Sequence, residues 1–349
     1  MTVFVKSVSG EDIIMERSKK VTIADIAEKA NVSKSTVSRV LNDSDAVIEE
    51  KRTAVLDAIA ELDYQPNLFA RGLAGGQTMA IGVLTQNITS PHNDALLRGV
   101  LQGLNGTGYS PIFADGYWQA EKEKEAIQIL LARQVDGLIV LGGEASGAFL
   151  EQVAQKVPLI IVGRHLNELA ERCLHVDNFA GAYKATKYLI EMGHQRIAHI
   201  TGRLDHPDGM NRREGYLQAL ADAGLEIDFD LIVEGNFMEQ SGVVAMEMLF
   251  SRGRSFSAIF TGNDQMAFGV RLALFRRGIR VPDDISIMGF DDQHGSAFMT
   301  PPLTTVRQPV LRMGKAAAEA MLHLVKDEEF AIPALPIDLV IRETVVRLG

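Results

Sequence analysis

Cysteine is almost absent: Cys173 is the single one in 349 residues. An intrachain disulfide is therefore excluded, and no thiol pair is left for redox or metal chemistry. Long apolar runs are missing too. The longest, around residues 137–141, stops far short of the roughly 20 residues of a membrane helix. Residues 1–10 are only weakly apolar, and Glu11, Asp12, Glu16 and Arg17 follow before any cleavage-like site, unlike a secretory leader. A cytoplasmic protein with no membrane partner is expected. His194 and His199 straddle a helix–strand junction without a cysteine or carboxylate to complete a metal site. No nucleophile elbow or phosphate-binding lysine loop occurs. Gly106, Gly108 and Pro111 follow a helix and precede a strand, the reverse of the order in a dinucleotide loop. Catalysis, a metal and a cofactor are all without support.

Charge is scarce in one sense and concentrated in another. The net formal charge is −10, yet residues 17–41 carry six cations (Arg17, Lys19, Lys20, Lys29, Lys34, Arg39) against Asp25 and Glu28. That segment is +4 and the remainder −14. A basic end on an acidic body can hold phosphates at one place and repel nucleic acid elsewhere.

Residues 1–20 show no clear period and are expected to be a disordered extension; Met15, directly before a basic run, is a candidate translation start. Three short helices are predicted next. Thr22-x-x-Asp25 resembles a capping box opening a helix over 23–29, with Ile23, Ile26 and Ala27 on one face. Ser33 caps a second helix that turns Val37, Val40 and Leu41 inward. The connection Ala30-Asn31-Val32 has the length of a helix-turn-helix turn. A third helix over 49–62 carries Val55, Leu56, Ile59 and Leu62. Pro66 starts a short segment, 67–74, that ends at Gly75-Gly76. Beyond Thr78, β-rich apolar runs at 80–84, 111–114, 137–141, 159–162, 197–201, 231–234, 258–261 and 285–290 alternate with amphipathic helical stretches such as 121–133, 179–192, 211–223 and 265–277. That alternation marks parallel βαβ units. Eight strands exceed one comfortable doubly wound sheet, so two lobes are expected.

The segment VTIADIAEKANVSKSTVSRVLN at 21–42 resembles the headpiece of the lactose/galactose-repressor family, and the resemblance runs on through Tyr64-Gln65-Pro66-Asn67 to Leu73. In the core, Val135-Asp136-Gly137, Gly193-His194-Gln195-Arg196-Ile197, Gly289-Phe290-Asp291-Asp292 and Pro302 to Gln308 match the same family. Several spaced motifs in one order cover essentially everything from Val21 to Arg347. The second helix should then enter the major groove by its N-terminal end, with Lys34, Ser35 and Arg39 reaching base edges. Ser33, Thr36, Ser38 and Thr22 are short hydroxyl donors suited to phosphates. The resemblance implies that the hinge, with Asn67, Ala70, Arg71 and Leu73, folds on operator DNA, where paired copies drive Leu73 into the minor groove. Alone it is too short for a stable helix, and Gly72 weakens it further.

The core also resembles periplasmic sugar-binding proteins, which hold a small polar molecule between lobes at the carboxyl ends of strands. By the resemblance Arg212 is the effector-binding arginine, with Asn263, Asp291 and Gln308 at converging strand ends. A carboxylate, an amide and a guanidinium so placed can hold vicinal hydroxyls. After Ser90-Pro91, where many relatives carry two aromatics, this chain has His92 and Asn93. Trp118 could supply the missing apolar platform, and Arg164 a second cation. These changes favour a polyol over a flat purine, leaving acidic and phosphorylated sugars open.

The expected fold is therefore α plus α/β: a headpiece (21–66), a hinge (67–76), and a periplasmic-binding-protein-like core of two doubly wound lobes. Lobe one is placed at 79–162 plus 293–325 and lobe two at 163–292 plus 326–347. The expected function is a DNA-binding regulator, a repressor by family habit, acting as a homodimer on near-palindromic operator DNA under control of a sugar-like effector. A sugar receptor without regulatory role would share the core but lack residues 21–73.

Overall fold

The computed structural model describes residues 3–6, 12–15, 21–41, 46–64 and 77–348, in two units that divide between Gly76 and Gln77. The first opens with strands β1 (Val3–Lys6) and β2 (Asp12–Met15), paired antiparallel with Val3 opposite Met15. Of the extension over 1–20 these eight residues are described and the rest lies outside the described residues; β-branched and aromatic residues dominate Val3-Phe4-Val5 and Ile13-Ile14, a composition that favours a strand.

Helices α1 (Ile23–Lys29), α2 (Lys34–Leu41) and α3 (Glu49–Glu61) follow. Asp25 accepts from the Thr22 backbone N–H at 2.7 Å and from its hydroxyl at 2.6 Å, fixing the first turn. Asn31 takes a positive φ of 51°, which ends α1 and lets the chain turn into α2. Ile26, Ala27, Val37, Val40, Val55 and Ala58 form the small core. Of the apolar residues that α3 carries, Leu56 is exposed, while Val55 and Ala58 are buried in this core. Lys29 pairs with Glu61 on the surface.

The second unit has two sheets. In lobe one β3 (Ala80–Thr85), β4 (Ser110–Asp115), β5 (Gly137–Leu141), β6 (Leu159–Val162) and β7 (Cys173–Leu174) run parallel in the order β4-β3-β5-β6-β7. β5 and β6 are wholly buried apolar runs, as parallel strands covered on both faces require. Pro111 is tolerated because β4 lies at the edge. Helices α4 (Pro91–Leu104), α5 (Ala120–Ala132) and α6 (Gly147–Ala154) cover this sheet. Lobe two begins with α7 (Asn178–Glu191), then β8 (Ile197–Thr201), α8 (Pro207–Asp222), β9 (Ile232–Glu234), α9 (Glu239–Ser251), β10 (Ala258–Thr261), α10 (Asp264–Arg276), β11 (Ser286–Asp291) and β12 (Thr304–Arg307). Then α11 (Val310–Leu324) packs on α4 of lobe one, and β13 (Asp338–Val340) closes the second sheet antiparallel to β12. The second sheet reads β13-β12-β11-β10-β8-β9.

Pairing therefore moves two of the expected crossovers. β7 belongs with β6, so the first crossing follows Leu174 rather than Val162. β12 pairs with β11, so 293–307 stays in lobe two and the second crossing follows Arg307. The two-residue β7 carries no periodic signal. β12 hides its strand character behind Thr304 and Thr305, which are buried by hydrogen bonds rather than by apolarity.

Where α4 crosses α11 the backbones almost touch. A Cβ at Gly314 would stand 2.1 Å from the Leu96 carbonyl oxygen, and one at Gly99 2.2 Å from that of Leu311. Gly314→Val must push these helices apart. It is expected to lower core stability by about 1–3 kcal/mol, measured by urea unfolding; an unchanged midpoint would mean the crossing is loose.

Candidate effector site and DNA-reading face

A cavity of about 380 Å³ lies in the cleft between the lobes. Its polar lining comes from the carboxyl ends of successive parallel strands, where helix N-termini leave backbone groups and short loops facing the gap. Lobe one contributes Asn87, Ser90, His92 and Asn93 after β3, Trp118 after β4, Gly142 after β5 and Gly163 after β6. Lobe two contributes Asn178, then Arg203, His206, Asp208 and Arg212 after β8, Asn236 and Phe237 after β9, Asn263 and Gln265 after β10, and Asp291 after β11. Gln308 and Met313 complete it from the second crossing.

Arg212 is the centre of the arrangement. Its side chain is 4% exposed, and its Nε donates to Asn178 Oδ1 at 2.9 Å. One terminal nitrogen donates to the Gly262 carbonyl and stands 3.7 Å from Asp291 Oδ1; the other is 4.0 Å from Asp208. Phe290 lies 3.9 Å from the guanidinium carbon and Phe237 5.7 Å, so π surface contacts the cation. Asp291 accepts from Gln308 Nε2 at 2.7 Å and Gln293 Nε2 at 3.2 Å. Its φ of 117° is a left-handed value costly for a side-chain-bearing residue, and the strand end holds it there to aim the carboxylate at the cleft.

The remaining expected residues divide. Asn263 caps α10 through Met266 N–H and donates to the Phe237 carbonyl at 2.9 Å, so its amide is already employed. Asn93 is buried and donates to the Gln86 and Asn87 carbonyls. His92 is half-buried at the rim. Trp118 sits in a turn with positive φ at both Tyr117 and Trp118, pinned by its backbone N–H donating to Gln86 Oε1 at 2.9 Å; Tyr117 faces solvent. Arg164 is the exception: it does not line the cavity. It donates to the Ala145 carbonyl at 2.9 Å and answers buried Glu123, which accepts from the Glu144 and Ala145 N–H groups.

Asn178, His206, Asp208 and Phe237 were not singled out from the sequence. His206-Pro207 at a helix start directly after β8 was the available signal for the histidine. His206 Nδ1 accepts from Asp208 N–H at 3.2 Å, which puts the ring proton on Nε2, and that atom has no partner. Burial lowers its pKa, nearby Arg212 and Arg203 add to the drop, and Asp208 opposes it. Two contacts span the cleft: Trp118 meets His206 edge-on, centroids 5.3 Å apart, and Arg203 pairs with Glu144 at 3.1 Å.

In the first unit α2 presents Lys34, Ser35 and Arg39 to solvent, with Val37 and Val40 on the opposite face. Ser33 accepts from Thr36 N–H at 3.1 Å and bonds the Ser35 and Thr36 hydroxyls, while Ser38 is half-buried. The Thr22 hydroxyl is engaged by Asp25, so a phosphate must displace that bond. Asn67, Ala70, Arg71 and Leu73 lie outside the described residues. His194 and His199 serve structure, bonding Ser257 with Val346 and the Phe260 carbonyl respectively. No helix among the described residues is long and apolar enough to cross a membrane.

Residues 22–67 match the bacterial regulatory proteins of the lacI family, and residues 186–345 a periplasmic binding protein-like domain. The HTH-type transcriptional repressor PurR of Pasteurella multocida is 35% identical over 328 residues, 93% of this chain and 98% of that protein. A crystal structure of the lac repressor dimer bound to operator and the anti-inducer ONPF superposes with a TM-score of 0.85 at 30% identity, covering 94% of this chain and all of that one. A complex of the transcriptional regulator CelR with cellobiose has a TM-score of 0.69 at 32% identity, covering 93% and 99%. With a relative this similar along nearly the whole of both chains, this chain belongs to the lacI family of bacterial regulatory proteins.

Proposed function

We propose that this chain is a transcriptional repressor that binds a near-palindromic operator as a homodimer and is controlled by a sugar-like effector held between its core lobes. The observation that carries the proposal is the coexistence in one chain of an exposed Lys34–Ser35–Arg39 face on α2 and a polar cavity centred on Arg212 and Asp291. A sugar receptor needs only the second. Relatives named as repressors, and solved neighbours holding operator or cellobiose, support joining the two. A regulator of this kind works in the cytoplasm, where its DNA is. The relatives are named as transcriptional regulators and repressors, not as enzymes.

Effector binding acts by linkage. A ligand that touches both lobes favours one lobe arrangement, and if that arrangement differs in operator affinity the coupling is about 1–3 kcal/mol in either direction. Each headpiece reads one half-site, so two copies related by a twofold axis match an inverted repeat. Selection from a random duplex library, followed by fluorescence anisotropy at fixed salt, tests the reading: the selected sites should be inverted repeats bound far more tightly than scrambled DNA. Equal affinity for both would end it. Arg39→Ala is expected to weaken the selected site by about 1–3 kcal/mol, or ten- to a hundredfold, while scarcely changing scrambled DNA. Equal losses on both would reassign Arg39 to phosphate contact.

A further inference from the structure

We infer that the effector is an uncharged saccharide of two hexose-sized rings, one resting against each lobe. This rests on the sugar-effector reading above and narrows it. Charge gives the first argument. Arg212 is committed to Asn178, Gly262 and two carboxylates, and aromatic rings crowd it, so its charge is already balanced inside the protein. Arg203, the other cation on the lining, is held by Asp205 and Glu144. The first turn of α8, at the cleft, is another place an anion could settle. That turn brings an acid of the chain, Asp208, onto the lining beside Asp291, whereas Asp94, Glu239 and Asp264 at the starts of α4, α9 and α10 are turned elsewhere, to Arg98, to Gln265 and to Ser296 with Thr305. A phosphate or carboxylate entering here meets the Asp208 and Asp291 carboxylates, whereas hydroxyls can donate to both.

Size and shape give the second argument. A hexose fills about 170 Å³ at interior packing density, and the cavity holds about 380 Å³, room for two rings. Apolar surface is supplied twice, by Trp118 from lobe one and Phe237 from lobe two, and each can cover the C–H face of one ring. His206 between them offers a neutral ring whose Nε2–H lacks a partner, suited to a hydroxyl or glycosidic oxygen.

The test uses the full-length protein in thermal-shift and calorimetric titrations. The probes are maltose, cellobiose, lactose and sucrose, their component monosaccharides, gluconate, lactobionate, glucose 6-phosphate and trehalose 6-phosphate. A ligand that binds the native core raises its Tm by mass action. The expected result is the largest shift from a neutral disaccharide, with its acid or phosphate counterpart at least tenfold weaker in Kd. Asp208→Asn should shrink that penalty severalfold, because one compensating carboxylate is gone. A monosaccharide or an anionic sugar giving the largest shift overturns this inference while leaving the sugar-effector reading intact. No response to any saccharide, from protein that still selects an inverted repeat, overturns both the inference and the sugar reading and leaves only the DNA-binding part.

Discussion

Asp291→Ala is expected to abolish the thermal shift that the effector gives the wild-type protein, with affinity falling at least about a hundredfold. Two losses combine. The carboxylate is the acceptor that faces the cleft, and charged hydrogen bonds of this kind contribute about 1.5–3 kcal/mol each. Its removal also leaves Arg212, a buried cation, with Asp208 at 4.0 Å as the nearest remaining carboxylate, so the empty core should lose about 3 kcal/mol as well. Asp291→Asn separates the two. It keeps the shape and can still accept from Gln308, whose Nε2 is 2.7 Å away, so most of the stability should return while effector affinity stays low. Calorimetric titration and urea unfolding of both variants make the comparison. A full effector shift in Asp291→Ala would remove this residue from the site.

The second large effect concerns pH, and it pairs two buried groups of opposite sign. His199 is stacked between Tyr216 and Phe260 and donates to the Phe260 carbonyl. Burial lowers its pKa from 6.5 to about 4, and Arg213 and Arg212 push the same way. Between pH 4 and 6.5 the unfolded chain therefore binds a proton that the folded chain refuses, and stability from this group rises with pH by about 3 kcal/mol. Asp264 is fully buried, accepting from Ser296, Thr305 and the Gln293 N–H. Burial raises its pKa from 3.8 to about 7, with Asp291 adding to the rise and the three donors opposing it. Folded protein then keeps a proton that the unfolded chain loses, and stability from this group falls by about 4 kcal/mol as pH climbs from 3.8 to 7. Over pH 4 to 6.5 the two nearly cancel. Single substitutions should unmask them: with His199→Phe the slope against pH becomes more negative than wild type, and with Asp264→Asn more positive. Urea midpoints at half-unit pH steps read this directly, and slopes that move from the wild-type slope in the same direction in both variants would contradict it.

Residues that announce themselves locally were legible in the sequence. β5 and β6 are continuous apolar runs, Ser33 and Thr22 mark helix starts, and Asp291 and Gln308 sit in motifs that end strands. What was hidden depends on distant partners. Arg164 stands at a strand end, as a ligand-binding residue should, but buried Glu123 and the Ala145 carbonyl draw it away. Phe237 occupies a loop without periodicity, and only the fold brings it against Arg212 and His206. Asp208 reads as a helix first-turn acid, and its place beside the guanidinium comes from the one-turn i, i+4 spacing along α8. Cap chemistry and burial patterns are short-range; which strand end faces which is a property of the closed cleft.

The solitary sulfhydryl at Cys173 gives the protein a built-in chemical clock. It lies in β7, the edge strand of the first sheet, yet is 1% exposed, and it stands just before the chain leaves lobe one. Burial raises its pKa, so little thiolate forms at neutral pH. An alkylating dye in the described region can mark it only during moments when that sheet edge comes undone, so labelling half-time reports edge opening. A ligand that fastens the lobes together would slow the marking, giving a readout of occupancy that needs neither DNA nor a coloured effector.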